Sequence, residues 1–471
     1  MTDTDAILDT AKYLRNVRPV DPDEIFAYVE GEPHPAVVRR TLRENAFELG
    51  LREREDGSFV PVEAGPIEPT FRGVERFPEP YARRFEDVLV ERYGPEWPSG
   101  ESGDRLRESI DGLKVAYFAD EAVDYDEGTA LAYALYHLPD YYAAIQYVLD
   151  ELGRAGLLSR RMRVLDVGAG AGGPALGVHD YFPADTLVEY DAVEPSAAAD
   201  VFEAMVEPTR PGFRATVHRE TAEAFTPEGP YDLVVFGNVL SELDSPVPVV
   251  ERYLGSLAAD GTVLALSPAE ERTATRLRRI ERELLDRNGE LTVYSPTVRL
   301  WPGESPADRG WTFTRKPDIE PPSFQRALES NAAADPEGGS ADGRYTKSAV
   351  QFAYLLLRTD GRRAIEYEPD AARAAKMAET ERHVTERIDI AALKLSPNLA
   401  EDGHPLFKIS DGSEALDHYA VLTDRSTLND DLPTAPYGSL LRFENVLVLW
   451  NDDEDAYNLV VDGETVVDRL A

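Results

Sequence analysis

A run of glycines directly after an apolar segment constrains the fold of this chain most. The segment Val164-Leu-Asp-Val167 is followed by Gly168, Gly170, Gly172 and Gly173. Glycine lets a chain turn tightly, and without Cβ atoms the backbone N–H groups can approach a ligand closely. A helix that begins after the turn offers its unpaired N–H groups at the same place. The run therefore predicts a strand, a ligand-binding turn and a helix.

Short apolar strands alternate with helical sequence through the middle of the chain. The predicted strands are Arg163–Val167, Leu187–Val193, Phe213–Val217, Asp232–Phe236 and Thr262–Leu266, and a later one is Phe352–Arg358. Strands that alternate with helices are typical of a parallel, doubly wound α/β sheet, which binds ligands beyond the carboxyl ends of its strands.

Two carboxylates near the glycines narrow the choice of ligand. Glu194 ends the second strand, 22 residues after Gly172, where either a dinucleotide or S-adenosylmethionine would place a ribose. Asp166 stands two residues before Gly168, and a carboxylate there suits the ammonium of the methionine group but suits a pyrophosphate badly. We therefore predict an S-adenosylmethionine site formed by Asp166, Gly168, Gly170, Gly172 and Glu194, with a dinucleotide as the alternative.

One further polar residue follows the fourth predicted strand, in the segment Gly237-Asn238-Val-Leu-Ser-Glu-Leu243. Asn238 lies where such sheets bind ligands, so we predict that it contacts the cofactor and faces the methyl group as a candidate catalytic residue. The segment is not the Asn-Pro-Pro-Tyr type that amino-group methylases use. Capping of a following helix is the alternative role for Asn238.

The flanking sequence predicts additional modules. Residues 1–65 show three helical segments and a hairpin around Asp56-Gly57, which is a winged-helix-like pattern, and residues 66–125 are predicted to connect it to the next domain. Residues 126–385 form the predicted cofactor-binding domain, with a disordered loop near residues 330–343. Residues 386–471 alternate in five short strands and predict a small OB-like β-barrel.

Arginines concentrate in two places. The predicted third helix and hairpin of the first module carry arginines 39, 40, 43, 52 and 54, which indicate either nucleic-acid contact or ion pairs on a helix face. Between residues 272 and 326, 11 basic residues face 8 acidic ones. Within that stretch, Arg276, Arg279, Arg299 and Arg315 are candidates for RNA contact, with ion pairing as the alternative.

Composition excludes several classes of protein. The chain has 88 acidic and 49 basic residues and a net charge of -39, which we interpret as adaptation to a salt-rich cytosol. It has no cysteine, so disulfides, zinc–thiolate sites and cysteine-ligated iron–sulfur clusters are excluded. Neither a membrane span nor a signal peptide is recognisable, so a cytoplasmic protein without a membrane partner is expected.

Three segments together resemble a known family: Ala130-Leu-Ala-Tyr-Ala-Leu-Tyr-His-Leu-Pro-Asp-Tyr-Tyr-Ala-Ala144, the glycine run and Asn238-Val-Leu-Ser-Glu-Leu. They are similar to the Rsm-type small ribosomal subunit methyltransferase-like family, over about residues 125–360. The resemblance implies a class I methyltransferase fold, S-adenosylmethionine binding and association with the small ribosomal subunit or its rRNA.

Members of that family carry a cysteine cluster that resembles an iron–sulfur site. The corresponding segments here are Tyr294-Ser-Pro296, Trp301-Pro302 and Trp311-Thr-Phe313, without a thiol. We therefore expect no iron–sulfur cluster, because its irons need thiolate ligands. Packing of Trp301, Trp311 and Phe313 is expected to hold this segment instead.

The sequence thus predicts an S-adenosylmethionine-dependent methyltransferase-like protein that acts on the small ribosomal subunit, with rRNA as acceptor. Two alternatives stay open. One is a ribosome assembly or translation factor that binds the cofactor without catalysis. The other is a methyltransferase for a protein or a small molecule, because a doubly wound sheet does not dictate its acceptor.

Overall fold

The computed structural model describes residues 4–119, 123–207, 209–332 and 343–471. Most of the loop predicted near residues 330–343 lies outside these residues. The chain forms two compact units. The first unit comprises Met1–Val235 and Pro317–Ser348, and the second comprises Phe236–Lys316 and Ala349–Ala471.

The N-terminal elements follow the predicted order of helices and a hairpin. They are α1 (Thr4–Leu14), α2 (Pro22–Ile25), a 3₁₀ turn (Phe26–Tyr28), α3 (Pro35–Glu44), α4 (Ala46–Leu49), β1 (Leu51–Glu53) and β2 (Phe59–Pro61). The predicted second helix is only four residues long before it tightens into the 3₁₀ turn. Val20 pairs with Phe59 and so extends the hairpin by one bridge. Apolar side chains from α1, α3 and both strands, among them Ile7, Leu42 and Phe59, form one core.

The segment 66–125, predicted as a connection, contains two long helices. These are α5 (Glu79–Tyr93) and α6 (Gly100–Ala119), followed by α7 (Glu127–Arg154). Helix α5 buries Tyr81, Phe85 and Leu89 on one face. Because that face is apolar at helical spacing, α5 belongs to the core of the first unit.

Helix α7 has a proline in its interior, at Pro139. A proline lacks the N–H that would bond to the carbonyl four residues earlier, here that of Leu135. The buried Gln325 side chain supplies the missing donor, since its Nε2 lies 2.9 Å from the Leu135 oxygen. The Gln325 Oε1 in turn accepts the Lys347 N–H at 3.0 Å. Helix α12, which carries Gln325, is therefore joined to α7 by a specific amide.

The main sheet and its helices follow α7. The strands are β3 (Arg161–Val167), β4 (Leu187–Val193), β5 (Phe213–His218), β6 (Tyr231–Gly237), β7 (Leu257–Pro268), β8 (Thr292–Ser295), β9 (Thr314–Lys316) and β10 (Val350–Arg358). The helices are α8 (Gly173–Tyr181), α9 (Ala198–Val206), α10 (Pro246–Leu254), α11 (Glu271–Arg287) and α12 (Ser323–Ser330).

The strand order of this sheet is β5-β4-β3-β6-β7-β10-β8, with β9 also paired to β10. Strands β3, β4 and β5 are parallel, whereas β10 runs antiparallel to β7, β8 and β9. The predicted doubly wound α/β sheet is confirmed. It is mixed rather than wholly parallel, because β10 enters it in the opposite direction.

The predicted C-terminal barrel is also confirmed. Its elements are β11 (Arg387–Lys394), β12 (Leu406–Ser410), β13 (His418–Leu422), α13 (Asp431–Thr434), β14 (Leu440–Asn451), β15 (Ala456–Val461) and β16 (Val466–Arg469), with a 3₁₀ segment at Met377–His383 before them. Strands β11-β12-β13-β15-β14 close through a β11–β14 pairing, and β16 adds to β14. Strands β13 and β15 are parallel, which is the strand arrangement of OB-type barrels.

The segment between β8 and β9 packs against barrel residues within the second unit. The Trp301 indole donates to Asp411 at 2.7 Å, and Trp311 stacks on Phe313 with ring centroids 5.5 Å apart. Nearby, the buried Lys408 ammonium pairs with the carboxylates of Asp308 and Asp417. Aromatic packing and buried ion pairs therefore hold this segment.

Candidate cofactor site

The turn after β3 has the geometry that its glycines were predicted to supply. Gly168, Gly170 and Gly172 have φ angles of +74°, +54° and +91°. These values lie in the left-handed region, which side chains with a Cβ adopt only at a cost. The Gly168 and Ala169 N–H groups donate to the Val193 carbonyl at 2.9 and 3.1 Å, which fixes the turn against the end of β4.

Glu194 connects the glycine turn to the loop after β4. One carboxylate oxygen accepts the Gly170 N–H and the other accepts the Ser196 N–H, both at 2.9 Å. Its side chain is buried in this position. A carboxylate offers about four lone-pair positions, so two remain for ligand hydroxyls. Glu194 therefore both orders the turn and keeps acceptors that fit a ribose.

The helix after the turn packs very close to α7. A Cβ at position 173 would lie 3.2 Å from the Leu138 carbonyl, and one at position 177 would lie 2.3 Å from Ile145 Cγ2. Contacts under 3.0 Å are not tolerated without movement of one partner. Gly173 and Gly177 thus allow α8 to lie directly on α7.

Asp166 does not lie at the open edge of the turn. Its side chain is fully buried, and one oxygen accepts the Tyr190 hydroxyl at 2.6 Å. The other oxygen, Oδ1, has no hydrogen-bond partner among the described residues. Burial raises the pKa of Asp166 to about 7, against the hydrogen bond from Tyr190, and the Glu194 charge raises it further. Asp166 is thus a buried acceptor with one oxygen unused, which suits a cationic partner.

Three ring-bearing residues of α7 form a half-buried face. Tyr133, His137 and Tyr141 are spaced four residues apart. The His137 and Tyr141 rings stack at 5.0 Å, and the Tyr133 hydroxyl donates to that of Tyr141 at 3.2 Å. A Cβ at position 170 would lie 3.9 Å from Tyr133 Cε1. We call these three residues the aromatic face; it begins beside the glycine turn.

A charged pair lies under this face. The Lys347 ammonium is 2.6 Å from Asp140 Oδ2 and 3.1 Å from His137 Nδ1. Burial acts to raise the pKa of Asp140, but the Lys347 charge and His137 outweigh it and hold that pKa below its ordinary value. Burial, aided by the Lys347 charge, lowers the pKa of His137 to about 4. His137 is therefore neutral at pH 7 with Nδ1 as acceptor, so its proton is on Nε2.

Asn238 belongs to the second unit, directly after β6. It adopts a φ of +65° and is buried, and its N–H donates to the Leu266 carbonyl at 3.1 Å. The capping alternative is wrong, because the next helix begins at Pro246 with Ser245 in the N-cap position. A left-handed asparagine in a loop is a strained conformation of the kind found at binding sites.

The four predicted RNA-binding arginines differ in environment. Arg279 and Arg315 are exposed, whereas Arg276 donates to the Leu243 carbonyl at 2.7 Å. Arg299 is half-buried, and burial lowers its pKa. Two of the four side chains are therefore presented on the surface.

Two general features of the described residues bear on function. They contain no group of three or more histidine or carboxylate side chains placed to hold a metal ion. No helix among them combines the length and apolarity that crossing a membrane requires.

Comparison with family models divides the chain into three parts. Residues 136–319 match a model described as a methyltransferase domain. Residues 4–55 and 378–470 match the N-terminal and C-terminal domain models of a domain of unknown function, DUF8157. No curated protein matches the sequence.

Several solved structures are similar to parts of the chain. The plantazolicin methyltransferase BpumL in complex with SAH is 9% identical, over 59% of this chain and 99% of that chain, with a TM-score of 0.31. A candidate RNA methyltransferase from Pyrococcus horikoshii is 12% identical over 52% and 97%, with a TM-score of 0.28. A SAM-dependent methyltransferase from Aquifex aeolicus is 18% identical over 32% and 80%, with a TM-score of 0.26. At these TM-scores none of the three bears on the substrate.

The family model and the strand order agree with the glycine turn and its acid. The choice between a dinucleotide and S-adenosylmethionine, which glycine spacing left open, is thereby resolved in favour of the methyl donor. Residues 136–319 form a class I methyltransferase domain of the S-adenosylmethionine-dependent type.

Proposed function

We propose that this protein methylates the RNA of the small ribosomal subunit. The observation that carries methyl transfer is the left-handed glycine turn bonded to Glu194. RNA as the acceptor is supported by the resemblance over about residues 125–360, by the OB-type barrel and by the aromatic face beside the turn.

The residues of the first unit fit the parts of the cofactor. Glu194 keeps lone pairs for the ribose hydroxyls, and the free oxygen of Asp166 fits the ammonium of the methionine group. When bound, S-adenosylmethionine supplies a methyl group on a positively charged sulfur. The protein contributes mainly by orientation, and proximity of this kind can contribute about 7–11 kcal/mol to lowering a barrier.

The aromatic face is the part of the first unit that suits a nucleobase. Unpaired bases stack on tyrosine and histidine rings, whatever their sequence. His137 is neutral, so its Nε2–H can donate to a base without a charge to bury. The Lys347–Asp140 pair holds His137 from below and fixes which nitrogen carries the proton. His137 is thus proposed as a positioning residue for the acceptor.

A transfer assay with labelled methyl donor tests this function. Purified protein is incubated with labelled S-adenosylmethionine and small subunits from a deletion strain, and rRNA and protein are then separated. We expect label in rRNA, lost in Glu194→Ala and retained in Glu91→Ala, which removes an exposed carboxylate from α5. Replacement of His137 by alanine should raise KM for subunits more than it lowers kcat.

The other outcomes select the alternatives. Cofactor binding without label in any fraction would contradict catalysis and favour a ribosome assembly or translation factor. Label in ribosomal protein rather than rRNA would show that the methyl acceptor is a protein.

A further inference from the structure

An open cavity of about 440 Å³ lies in the first unit, between the end of α1 and the hairpin. Its charged lining consists of Arg15, Arg18, Arg52, Arg54, Glu63 and Asp185. Four arginines against two carboxylates is the reverse of the balance of a chain with a net charge of -39. We propose that this cavity, hereafter the arginine cavity, binds the phosphate backbone of an RNA strand.

The alternation of side chains along β1 creates the cavity. Arg54 directly follows β1 and prolongs the hairpin, since its N–H donates to the Ser58 carbonyl at 2.8 Å. Successive residues of an extended chain point to opposite faces, so Arg52 and Arg54 share the face that lines the cavity and Glu53 takes the other. Glu53 turns to α3, where it accepts from Arg43 at 2.8 Å and lies 3.8 Å from Arg39. The basic cluster seen in the sequence is therefore divided: Arg39 and Arg43 share the Glu53 carboxylate, whereas Arg52 and Arg54 line the cavity.

The four arginines of the arginine cavity have few carboxylate partners among the described residues. Arg52 and Arg54 form no ion pair with any residue that the structure describes, and Arg54 acts on Asp56 only at longer range. Arg15 donates to the Leu49 carbonyl, which leaves its charge uncompensated. Arg18 pairs with Glu24 in an exposed pair, and such pairs contribute little and exchange readily.

Of the two acidic residues that line the arginine cavity, Asp185 has its charge compensated by an arginine outside the lining. It pairs with Arg160, so its charge does not oppose an anion at the cavity. Glu63 then stands as one carboxylate among four guanidinium groups. The electrostatic balance at the cavity is positive.

The shape of the arginine cavity favours a long polyanion over a small anion. Small-molecule sites enclose about 70–90% of the ligand surface. Here Arg18 and Arg54 are exposed, and Arg15 and Arg52 are half-buried, so the arginine cavity is open to solvent. Residues two apart in extended chain, as Arg52 and Arg54 are, lie about 6.7 Å apart, comparable with the spacing of successive phosphates on an RNA strand. Each planar guanidinium can engage one phosphate with two N–H groups.

The acidic surface around the arginine cavity restricts where RNA can bind. Exposed carboxylates repel RNA, so the positive arginine cavity favours one position for the backbone on the N-terminal module. The inference extends the proposed function because it assigns RNA contact to the N-terminal module. It does not depend on methyl transfer.

Binding of single-stranded RNA to the full-length protein tests the proposal. Fluorescence anisotropy is measured with a labelled RNA oligonucleotide at several potassium chloride concentrations. We compare wild type with Arg52→Gln/Arg54→Gln, and with the charge-matched control Arg40→Gln/Arg83→Gln, whose arginines form exposed helix pairs. Loss of two phosphate contacts should lower the salt slope of log K by about 1.4 and weaken binding at least about tenfold near 0.1 M salt.

Further measurements keep the outcome unambiguous. Thermal melting verifies that each variant is folded, and Arg52→Lys/Arg54→Lys should retain most of the affinity because it keeps both charges. S-adenosylmethionine binding should be equal in all variants. A failure of the RNA-binding proposal can therefore be distinguished from a failure of the proposed methyltransferase function. Equal loss in the control variant, or an unchanged slope in Arg52→Gln/Arg54→Gln, would overturn the proposal. The proposal would also be overturned if Arg52→Gln/Arg54→Gln lost binding of inorganic phosphate but bound RNA with unchanged affinity.

Discussion

At the scale of single residues, the candidate site depends on two carboxylates in different environments. Both are buried, but Glu194 accepts two backbone N–H groups, whereas Asp166 accepts one hydroxyl and has a raised pKa. Hydrogen-bond donors stabilise a carboxylate and burial destabilises it; at Asp166 burial outweighs the single hydrogen bond from Tyr190. The carboxylate group is therefore proposed to bind a neutral hydroxyl at Glu194 and a cation at Asp166.

Glu194→Ala and Gly170→Arg should each weaken S-adenosylmethionine binding. Hydrogen bonds to a charged group contribute about 1.5–3 kcal/mol, so Glu194→Ala is expected to lower affinity by roughly 10- to 150-fold. Gly170→Arg places a large side chain at a left-handed position beside Tyr133 and should abolish binding. Isothermal titration calorimetry measures both, with Glu91→Ala as control and NAD(H) as competing ligand. Unchanged affinity in both variants would show that the cofactor binds elsewhere.

Asp166 should make cofactor binding dependent on pH. With a pKa of about 7, it is protonated and neutral below that pH and charged above it. A cationic ligand favours the charged form, so affinity should rise as pH increases through about 7 and then level off. Asp166→Asn should remove this dependence in titrations between about pH 5.5 and about pH 8.

The same residue predicts the direction of stability against pH. Its folded pKa lies above the ordinary value of 3.8, so the folded state holds the proton more tightly than the unfolded state. Protonated Asp166 therefore contributes its full share to the free energy of unfolding below about pH 4, and this contribution is lost as pH rises through about 7. Thermal melting of wild type and Asp166→Asn across this range checks the sign. A contribution that grows with pH would contradict the buried position of Asp166.

At the scale of elements, the site depends on how closely α8 lies on α7. That contact places the aromatic face of α7 beside the turn that starts α8. The two glycines of α8 allow it by removing side chains from the interface. A larger residue there would separate the cofactor turn from the face proposed for the acceptor.

Gly177→Ala tests this packing. Its Cβ would lie 2.3 Å from Ile145 Cγ2 and 2.7 Å from the Tyr142 carbonyl, so it should lower the free energy of unfolding by about 1–3 kcal/mol. Gly112→Ala in α6 makes the same change at an exposed position with nothing within 4 Å, and should stabilise by about 0.5–1 kcal/mol. Urea denaturation gives both values. Equal effects in the two variants would mean that α8 and α7 do not touch as described.

Local pattern explains which parts of the fold could be predicted. The five barrel strands and the first sheet strands carry their own period-two or apolar signature, so each was predictable from neighbouring residues. The glycine turn and Glu194 were predictable because strand–turn–helix geometry fixes them within one short stretch. The direction of β10 was not, since a strand has the same pattern in either orientation.

Long-range partners explain what the sequence could not reveal. His137 meets Lys347, 210 residues away, and Leu135 meets Gln325, 190 residues away. No local spacing encodes such pairs. The burial of Asp166 likewise depends on Tyr190 from the neighbouring strand, so its motif indicated an acid but not its environment. The splitting of the N-terminal arginines required knowing that Glu53 faces α3.

At the scale of the whole molecule, negative charge dominates. A net charge of -39 on 471 residues produces repulsion that acts across the surface, beyond any single pair. The ion pairs inside the second unit, such as Lys408 with Asp417, are screened much less than those exposed carboxylates. Added salt should therefore weaken the repulsion between exposed carboxylates without disrupting the buried ion pairs.

Stability should rise with salt. The Debye length falls from about 10 Å near 0.1 M to about 3 Å near 1 M, which screens most carboxylate pairs on the surface. We expect the melting temperature to increase over this range of potassium chloride, measured by scanning calorimetry. Sucrose at matched osmolality is the control, because it strengthens burial without screening charge. A melting temperature equal in salt and sucrose would contradict the electrostatic explanation.

The threading of the chain through its two units has a consequence for how the protein is made. The first unit ends at Val235 and resumes only at Pro317. Phe324, which packs its ring against Phe77 and Phe85 at 6.2 and 5.0 Å, is translated after that interruption. At roughly 5–20 residues per second, a nascent chain waits on the order of ten seconds before Phe324 can pack against these two rings. A fragment that stops at Val235 would lack the Phe324 contacts altogether, so we expect it to be less stable than the complete first unit.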